Sequence, residues 1–232
     1  MGIKKLSLLL FLTAFFWNIV CARSFDIDTF SLKWDIQIDW TINVKENIDV
    51  NFNYWSLHWI ERIFNRYYNV DDSKFQVFYD DININNDNFY TYDEYWDTVA
   101  RIWDKDILLN WKHMYDIDYS LYWVVRNFSW MWYSELYWNV IGYDWDAWIN
   151  NSVIELNLPK AYPWLTWDDF IISLGYNDYY SLEGFPWSIT WDEDKIVINY
   201  TWSLNPYNWI TLAIKFPNNY FKFNNEKQAG LF

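Results

Sequence analysis

Between residues 41 and 52 apolar and polar residues alternate with period two. Ile42, Val44, Ile48, Val50 and Phe52 fall on one face; Asn43, Lys45, Asn47, Asp49 and Asn51 fall on the other. Successive side chains of an extended chain point to opposite sides, so this stretch predicts a half-buried strand. Residues 33–38 predict a shorter strand before it, with Asp39-Trp40 where a hairpin turn belongs. Further strands are predicted over 75–79, 114–125, 152–158, 170–174, 195–200 and 210–216. In two of these the alternation is clean: Tyr115, Ile117, Tyr119 and Leu121 against Asp116, Asp118 and Ser120, and Ile210, Leu212, Ile214 and Phe216 against Thr211, Ala213 and Lys215. Asn, Asp, Ser and Pro cluster between the runs, as turn chemistry requires. Residues 57–67 and 92–97 predict short helices. The pattern points to an all-β chain: one antiparallel β-sandwich domain with one or two short helices.

The first residues break this pattern. Lys4 and Lys5 precede an apolar run over 6–20 that contains Leu8, Leu9, Leu10, Phe11, Phe15 and Phe16, and Val20-Cys21-Ala22 follows. Basic start, apolar run and short residues in that order are the layout of a secretory signal, with cleavage expected after Ala22. The run is shorter than the ~20 apolar residues of a membrane-spanning helix. A lipidated Cys21 is the alternative, although Val20 suits the preceding position poorly. The division is a signal peptide over 1–22, an extracytoplasmic domain over 23–222, and the start of a linker over 223–232.

The 232 residues suffice for one ordinary domain. With 31 acidic and 17 basic residues the net charge is −14, the wrong sign for a duplex nucleic-acid binder. A hydrophobic content of 53% excludes wholesale disorder. The one cysteine, Cys21, leaves with the signal, so the secreted chain depends on core burial rather than disulfides.

Twenty tryptophans accompany five glycines, where average usage predicts roughly 16 glycines. Asp39-Trp40, Asn110-Trp111 and Asn208-Trp209 resemble the Asp-Gly and Asn-Gly pairs that close hairpins. Such turns need positive φ at the second residue, which is cheap for Gly and costly for Trp. Ser129-Trp130-Met131-Trp132 and Ala147-Trp148 also fall between strands. Many of these positions read as glycine: some bacterial lineages decode UGA as glycine, and translating it as tryptophan produces this composition. A natural aromatic surface for sugar stacking accounts for the Trp count but not for the shortage of Gly. UGG codons at Trp40, Trp111 and Trp209 would rule the recoding out.

Several short motifs stand in a particular order. Trp59-Ile60-Glu61-Arg62 corresponds to a Gly-Ile-x-Arg segment, Ile102-Trp103-Asp104 to an Ile-Gly-Asp-like step, and Trp111-Lys112-His113-Met114-Tyr115 to Gly-x-His-x-Tyr. Glu135-Leu136-Tyr137-Trp138-Asn139 follows, then Asp144-Trp145, and Leu158-Pro159 and Phe216-Pro217 close strands on proline. In order and spacing the chain from about Phe25 to Phe221 resembles the amino-terminal domain of the domain-of-unknown-function 2207 family, the YciQ-like predicted membrane proteins. The resemblance makes Trp138 and Trp145 genuine tryptophans. It implies an extracytoplasmic domain tethered to a membrane by helices that follow it, so the chain reads as a fragment. It supplies no activity.

The residues that the motifs single out for binding or structure are Arg62, His113, Tyr115, Glu135, Trp138 and Asn139. The two histidines, His58 and His113, have neither a cysteine partner nor an H-E-x-x-H frame. No nucleophile elbow, Walker loop or dinucleotide loop is present. Carboxylates cluster at Asp71-Asp72, Asp80-Asp81, Asp168-Asp169 and Asp192-Glu193-Asp194, but neighbours on a strand face opposite ways and the D-x-D-x-D-G calcium spacing is missing. Solvated acidic loops account for them. Arg62 suits a loop-locking ion pair. The expectation is therefore a non-enzymatic module with no metal and no cofactor. Its expected partner is a cell-envelope protein or glycan rather than nucleic acid. The competing classes are a carbohydrate-binding or carbohydrate-active module using exposed Trp, and a purely structural assembly domain.

Overall fold

The computed structural model of the chain describes residues 25–57, 59–70, 73–103, 109–128, 131–175, 177–179 and 187–222. The predicted signal segment over 1–22 with Cys21, the predicted linker start over 223–232, His58, Asp71, Asp72, Asp104, Ser129 and Trp130 lie outside the described residues.

Two sheets form the body. The larger has seven strands in the order β15 (Trp187–Asp192), β16 (Lys195–Tyr200), β12 (Ser152–Asn157), β1 (Phe25–Ile36), β2 (Ile42–Leu57), β9 (Leu109–Tyr122) and β6 (Phe78–Asn85). The second has five: β10 (Val125–Phe128), β11 (Tyr133–Ile141), β17 (Ile210–Pro217), β13 (Phe170–Leu174) and β14 (Asn177–Tyr179). A three-stranded sheet of β3 (Trp59–Phe64), β8 (Asp97–Trp103) and β7 (Phe89–Glu94), and a hairpin of β4 (Tyr67–Val70) and β5 (Ser73–Gln76), complete the fold. Described strand pairs are antiparallel except β1 with β12, which is parallel. The chain is an all-β, sandwich-like domain.

The alternation read from the sequence is the register of the sheet. Val44 lies opposite Trp34 on β1 and Tyr119 on β9; Ile48 lies opposite Phe30 and Tyr115. These side chains join Leu136, Leu212, Ile214 and Phe216 of the five-stranded sheet in one buried cluster. Burying each such side chain contributes about 1.5–3 kcal/mol, which supplies the stability that no disulfide provides.

Both predicted short helices are wrong. Residues 59–64 form β3, because Ile60, Arg62 and Phe64 face inward with period two, and 92–97 form the tight β7–β8 hairpin, with Glu94 opposite Asp97. The helical structure among the described residues is 3-10 only, at Trp167–Asp169 and at Met131. The predicted strand over 75–79 is divided between β5 and β6.

The tryptophan turns come out unevenly. Trp40 has φ +68°, Trp111 +63° and Trp132 +63°, as glycine-like positions require, and Trp123 adds a fourth at +71°. The loop at Trp40 is a three-residue hairpin. Trp40 N–H donates to the Gln37 carbonyl at 2.9 Å, and Gln37 N–H donates to Thr41 at 2.8 Å. This is a turn closed by one left-handed residue, a place that glycine usually fills. Trp111 closes no hairpin. It lies within β9, opposite Phe52, where the pairing with β2 shifts register. The Asn208-Trp209 expectation fails: the left-handed residue there is Tyr207, at φ +62°. Trp148 is not left-handed either. Trp40 is 3% exposed, so its indole fills the core while its backbone makes the reversal, whereas Trp111 and Trp132 are 70% and 80% exposed. Trp138 and Trp145 are buried.

Candidate functional site

The six motif residues do not converge. Arg62 on β3 is buried and forms a two-pronged ion pair with Glu46 on β2, Nε to Oε2 at 2.8 Å and Nη2 to Oε1 at 2.7 Å. Tyr119 Oη donates to the same Oε1 at 2.7 Å, and Arg62 Nη1 donates to the Ile63 carbonyl. The guanidinium also lies 4.9 Å from the Phe64 ring centre and 5.7 Å from that of Trp145. Burial opposes its charge, but Glu46 prevails and holds Arg62 above its ordinary value. The same burial drives the Tyr119 and Tyr79 phenols well above theirs, so both stay neutral. The cluster joins two sheets and is closed to solvent.

His113 and Tyr115 leave β9 two residues apart, with ring centres 4.4 Å apart. His113 Nε2 lies 2.9 Å from Asp87 Oδ1 in the β6–β7 turn. The Tyr115 hydroxyl and Asp87 Oδ2 are buried without a hydrogen-bond partner among the described residues. Burial, assisted by Asp87, pushes the Tyr115 phenol up. Glu135 pairs with Arg126 across β10–β11, and Arg126 lies over the Tyr137 ring at 4.7 Å. Trp138 is a core residue.

Asn139 alone among the six lines a cavity of about 680 Å³ on the outward face of the five-stranded sheet. Strand pairing builds its floor. Asn139 lies opposite Thr211, and Thr211 lies opposite Ser173, so three polar residues form one row across β11, β17 and β13. Thr211 Oγ1 donates to Asn139 Oδ1 at 2.6 Å. The amide nitrogen of Asn139 makes no hydrogen bond among the described residues, which leaves that end of the side chain to solvent. The walls are aromatic: Tyr67, Tyr68, Tyr137, Tyr143, Tyr207 and Trp209. Tyr68 stacks on Tyr137 at 6.0 Å and meets Trp138 edge-on at 5.3 Å. Those two residues leave β11 on opposite faces, which places Tyr68 beside that strand's edge, beyond the end of β10. Tyr143 packs edge-on against Trp209 at 6.1 Å.

Tyr207 is held in place by backbone. Asn208 N–H donates to the Asn205 carbonyl at 3.0 Å, and Tyr207 N–H donates to Trp145 at 2.9 Å. Pro206 and Tyr207 are the central residues of this turn, with the left-handed φ at the second, where glycine or asparagine is usual. A tyrosine there is strained by about 1–2 kcal/mol, and it forms a wall of the cavity.

Among the described residues, the lining holds no charged side chain. Asp80-Asp81, Asp168-Asp169 and Asp192-Glu193-Asp194 stand outside that lining. Asp169 accepts from Thr166 N at 2.8 Å and Oγ1 at 2.9 Å, capping the 3-10 turn, and Asp192 accepts from Glu193 N at 2.8 Å in the β15–β16 turn. No group of three or more His, Cys, Asp or Glu among the described residues is placed to hold a metal ion. The exposed tryptophans scatter: Trp96 in the β7–β8 turn, Trp132 between β10 and β11, Trp164 and Trp202 in loops. Trp209 is the one tryptophan in the described lining. Sequence reading missed the walls because they come from positions 67 to 209, with no local motif. The usable signal was the shared parity of Tyr137 and Asn139 on a strand whose other face is apolar.

The family described as predicted membrane protein (DUF2207) N-terminal domain matches residues 26–216. No curated protein matches the chain. Among solved structures, yeast LTA4 hydrolase in complex with bestatin is similar at 7% identity and a TM-score of 0.49, covering 82% of this chain and 28% of that one. An M1 zinc metallopeptidase from Deinococcus radiodurans is similar at 7% identity and a TM-score of 0.42, covering 82% of this chain and 42% of that one. A putative protease from Parabacteroides distasonis is similar at 7% identity and a TM-score of 0.43, covering 82% and 40%. The chain thus spans less than half the length of each of these structures.

Proposed function

The chain belongs to the DUF2207 family of predicted membrane proteins, and from that premise we propose that it is an extracytoplasmic, membrane-tethered module that binds a cell-envelope component through the cavity on its five-stranded sheet. The basic start and apolar run over 1–22 support secretion. The observation that carries the binding reading is Tyr207. An exposed tyrosine in a left-handed turn costs folding energy; Tyr95 in the β7–β8 turn carries the same strain, and Tyr207 is set apart because its strained turn makes it a wall of the cavity. The lining has aromatic faces and neutral hydrogen-bonding groups but no acid or base to move a proton. That composition suits recognition rather than turnover. The buried ions at Arg62 and Glu46 serve the joint between sheets and are unavailable to a ligand.

The test is co-sedimentation of the purified chain with envelope material from its own source, with Asn139→Asp and Tyr143→Ala as cavity variants. The wild-type chain is expected to co-sediment and both variants to be depleted from the pellet. Equal retention of the variants, or progressive breakdown of the envelope polymer by the wild-type chain, would overturn the proposal.

A further inference from the structure

We infer that the cavity takes a short, neutral oligosaccharide, with sugar faces against Tyr143 and Tyr207 and hydroxyls on the Asn139–Thr211 pair; the faces of Tyr68 and Tyr137 are taken by each other, by Phe75 and by Arg126. This names the ligand class for the site proposed above and rests on that reading. Charge is the first argument. A phosphate, carboxylate or ammonium group entering the cavity would shed water without meeting an opposite charge in the described lining; the cations behind its walls are engaged, Lys74 on the Tyr67 ring at 4.2 Å and Arg126 on the Tyr137 ring at 4.7 Å and on Glu135. This holds although the protein as a whole carries a net charge of −14.

The mixture of surfaces is the second argument. A purely apolar ligand would bury the open end of the Asn139 amide with nothing to bond it, which disfavours such a ligand. A pyranose ring presents an apolar C–H face and a rim of hydroxyls together. The C–H face packs on aromatic rings, and the hydroxyls both donate and accept. Asn139 provides donors at its free end, and Thr211 provides the lone pairs its hydroxyl does not use on Asn139.

Dimensions are the third argument. Adjacent strands lie about 4.8 Å apart, so the row from Asn139 through Thr211 to Ser173 extends about 10 Å, roughly two linked sugar rings. At about 680 Å³ the volume falls in the range of small-molecule sites. The tyrosine at position 207 then explains its own strain: glycine would ease the turn but remove a stacking wall.

The experiment is competition in the co-sedimentation assay, joined to direct titration of the purified chain by NMR. Cellotriose, maltotriose and chitotriose are the neutral probes, and trigalacturonate is the charged one. At least one neutral trisaccharide is expected to displace the chain from envelope material and to shift the Asn139 side-chain amide signals. Tyr207→Gly is expected to weaken that binding about tenfold, the effect of losing one stacking contact of about 1.4 kcal/mol, while leaving the melting temperature undiminished. A purely structural role for Tyr207 would not separate the two readouts. Displacement by trigalacturonate and not by the neutral sugars would overturn the ligand class while leaving the binding site intact. Sugar binding unchanged in Asn139→Asp, Tyr143→Ala and Tyr207→Gly would overturn this inference, whereas envelope retention unchanged in the first two overturns the binding proposal itself.

Discussion

The Arg62 joint and the cavity on the five-stranded sheet use polar groups in opposite ways. At the joint, two full charges and a tyrosine hydroxyl are sealed between sheets, and each finds a partner within 2.8 Å. In the cavity the groups are neutral, and the Asn139 amide keeps one end open. A buried charge is tolerable only when paired, so charge at the joint enforces one arrangement of the sheets. A neutral group left open to solvent is satisfied by water until a ligand replaces it. The charges of Arg62 and Glu46 are thus committed to architecture, and the cavity is left to aromatic rings and neutral hydrogen-bonding groups.

Substitution at the joint breaks this contrast most severely. Arg62→Ala leaves Glu46 buried and unpaired and is expected to destabilise the fold by about 3–5 kcal/mol in urea unfolding. The double substitution Arg62→Met with Glu46→Leu is expected to recover most of that loss. A single-substitution loss below about 1 kcal/mol would show that water reaches the pair.

The tryptophans give the next largest effects, and opposite signs. Trp40→Gly relieves a left-handed strain of about 1–2 kcal/mol but empties a core site worth about 3–5 kcal/mol, so a net loss is expected. Trp111 and Trp132 are mostly exposed, so Trp111→Gly and Trp132→Gly relieve the strain at little cost in burial and are each expected to raise stability by about 1 kcal/mol. If recoding placed these residues, the gene carries UGA at 111, 123 and 132 and UGG at 138 and 145. UGG at all five would end that reading.

In the cavity, Tyr143→Ala is expected to cost about 1 kcal/mol of stability, since the residue is 43% exposed and packs edge-on against Trp209, while reducing envelope retention. The smallest effect is expected at Glu155, which accepts from Lys195 at 2.7 Å and lies 3.6 Å from Lys33. Lys195 holds the Glu155 carboxyl below its ordinary value. Its folded pKa being depressed, the stabilisation is complete above the ordinary carboxylate range and is lost as pH falls through the lowered value. Glu155→Gln is expected to cost at most about 1 kcal/mol at neutral pH and nothing in strong acid, by thermal melts at both.

Sheet residues whose environment repeats along the strand were legible in advance. Ser152–Asn157, Phe170–Leu174 and Ile210–Pro217 stand within a residue of their predicted places because period two survives wherever one face is buried. Glu46 occupies the core parity of β2, between Val44 and Ile48, and as a carboxylate among apolar residues it was a readable sign of a buried partner. Its partner, Arg62, was singled out by motif. The pairing was not readable, since it joins strands from different sheets. Residues 59–64 were misread as helix because six residues hold too few apolar repeats to separate the two periods.

The chain by itself determined an all-β body, a basic start followed by an apolar run, and a set of aromatic residues at glycine-like positions, because these depend on neighbours along the backbone: side-chain parity, turn sterics and the length of an apolar run. Tertiary structure decided which of those aromatics are core and which are rim, that Tyr207 rather than Trp209 carries the strained turn, and that Asn139, Thr211 and Ser173 stand in one row. Those outcomes depend on which strands pair and in what register, a choice made by burying side chains distant in sequence, and no local pattern contains it.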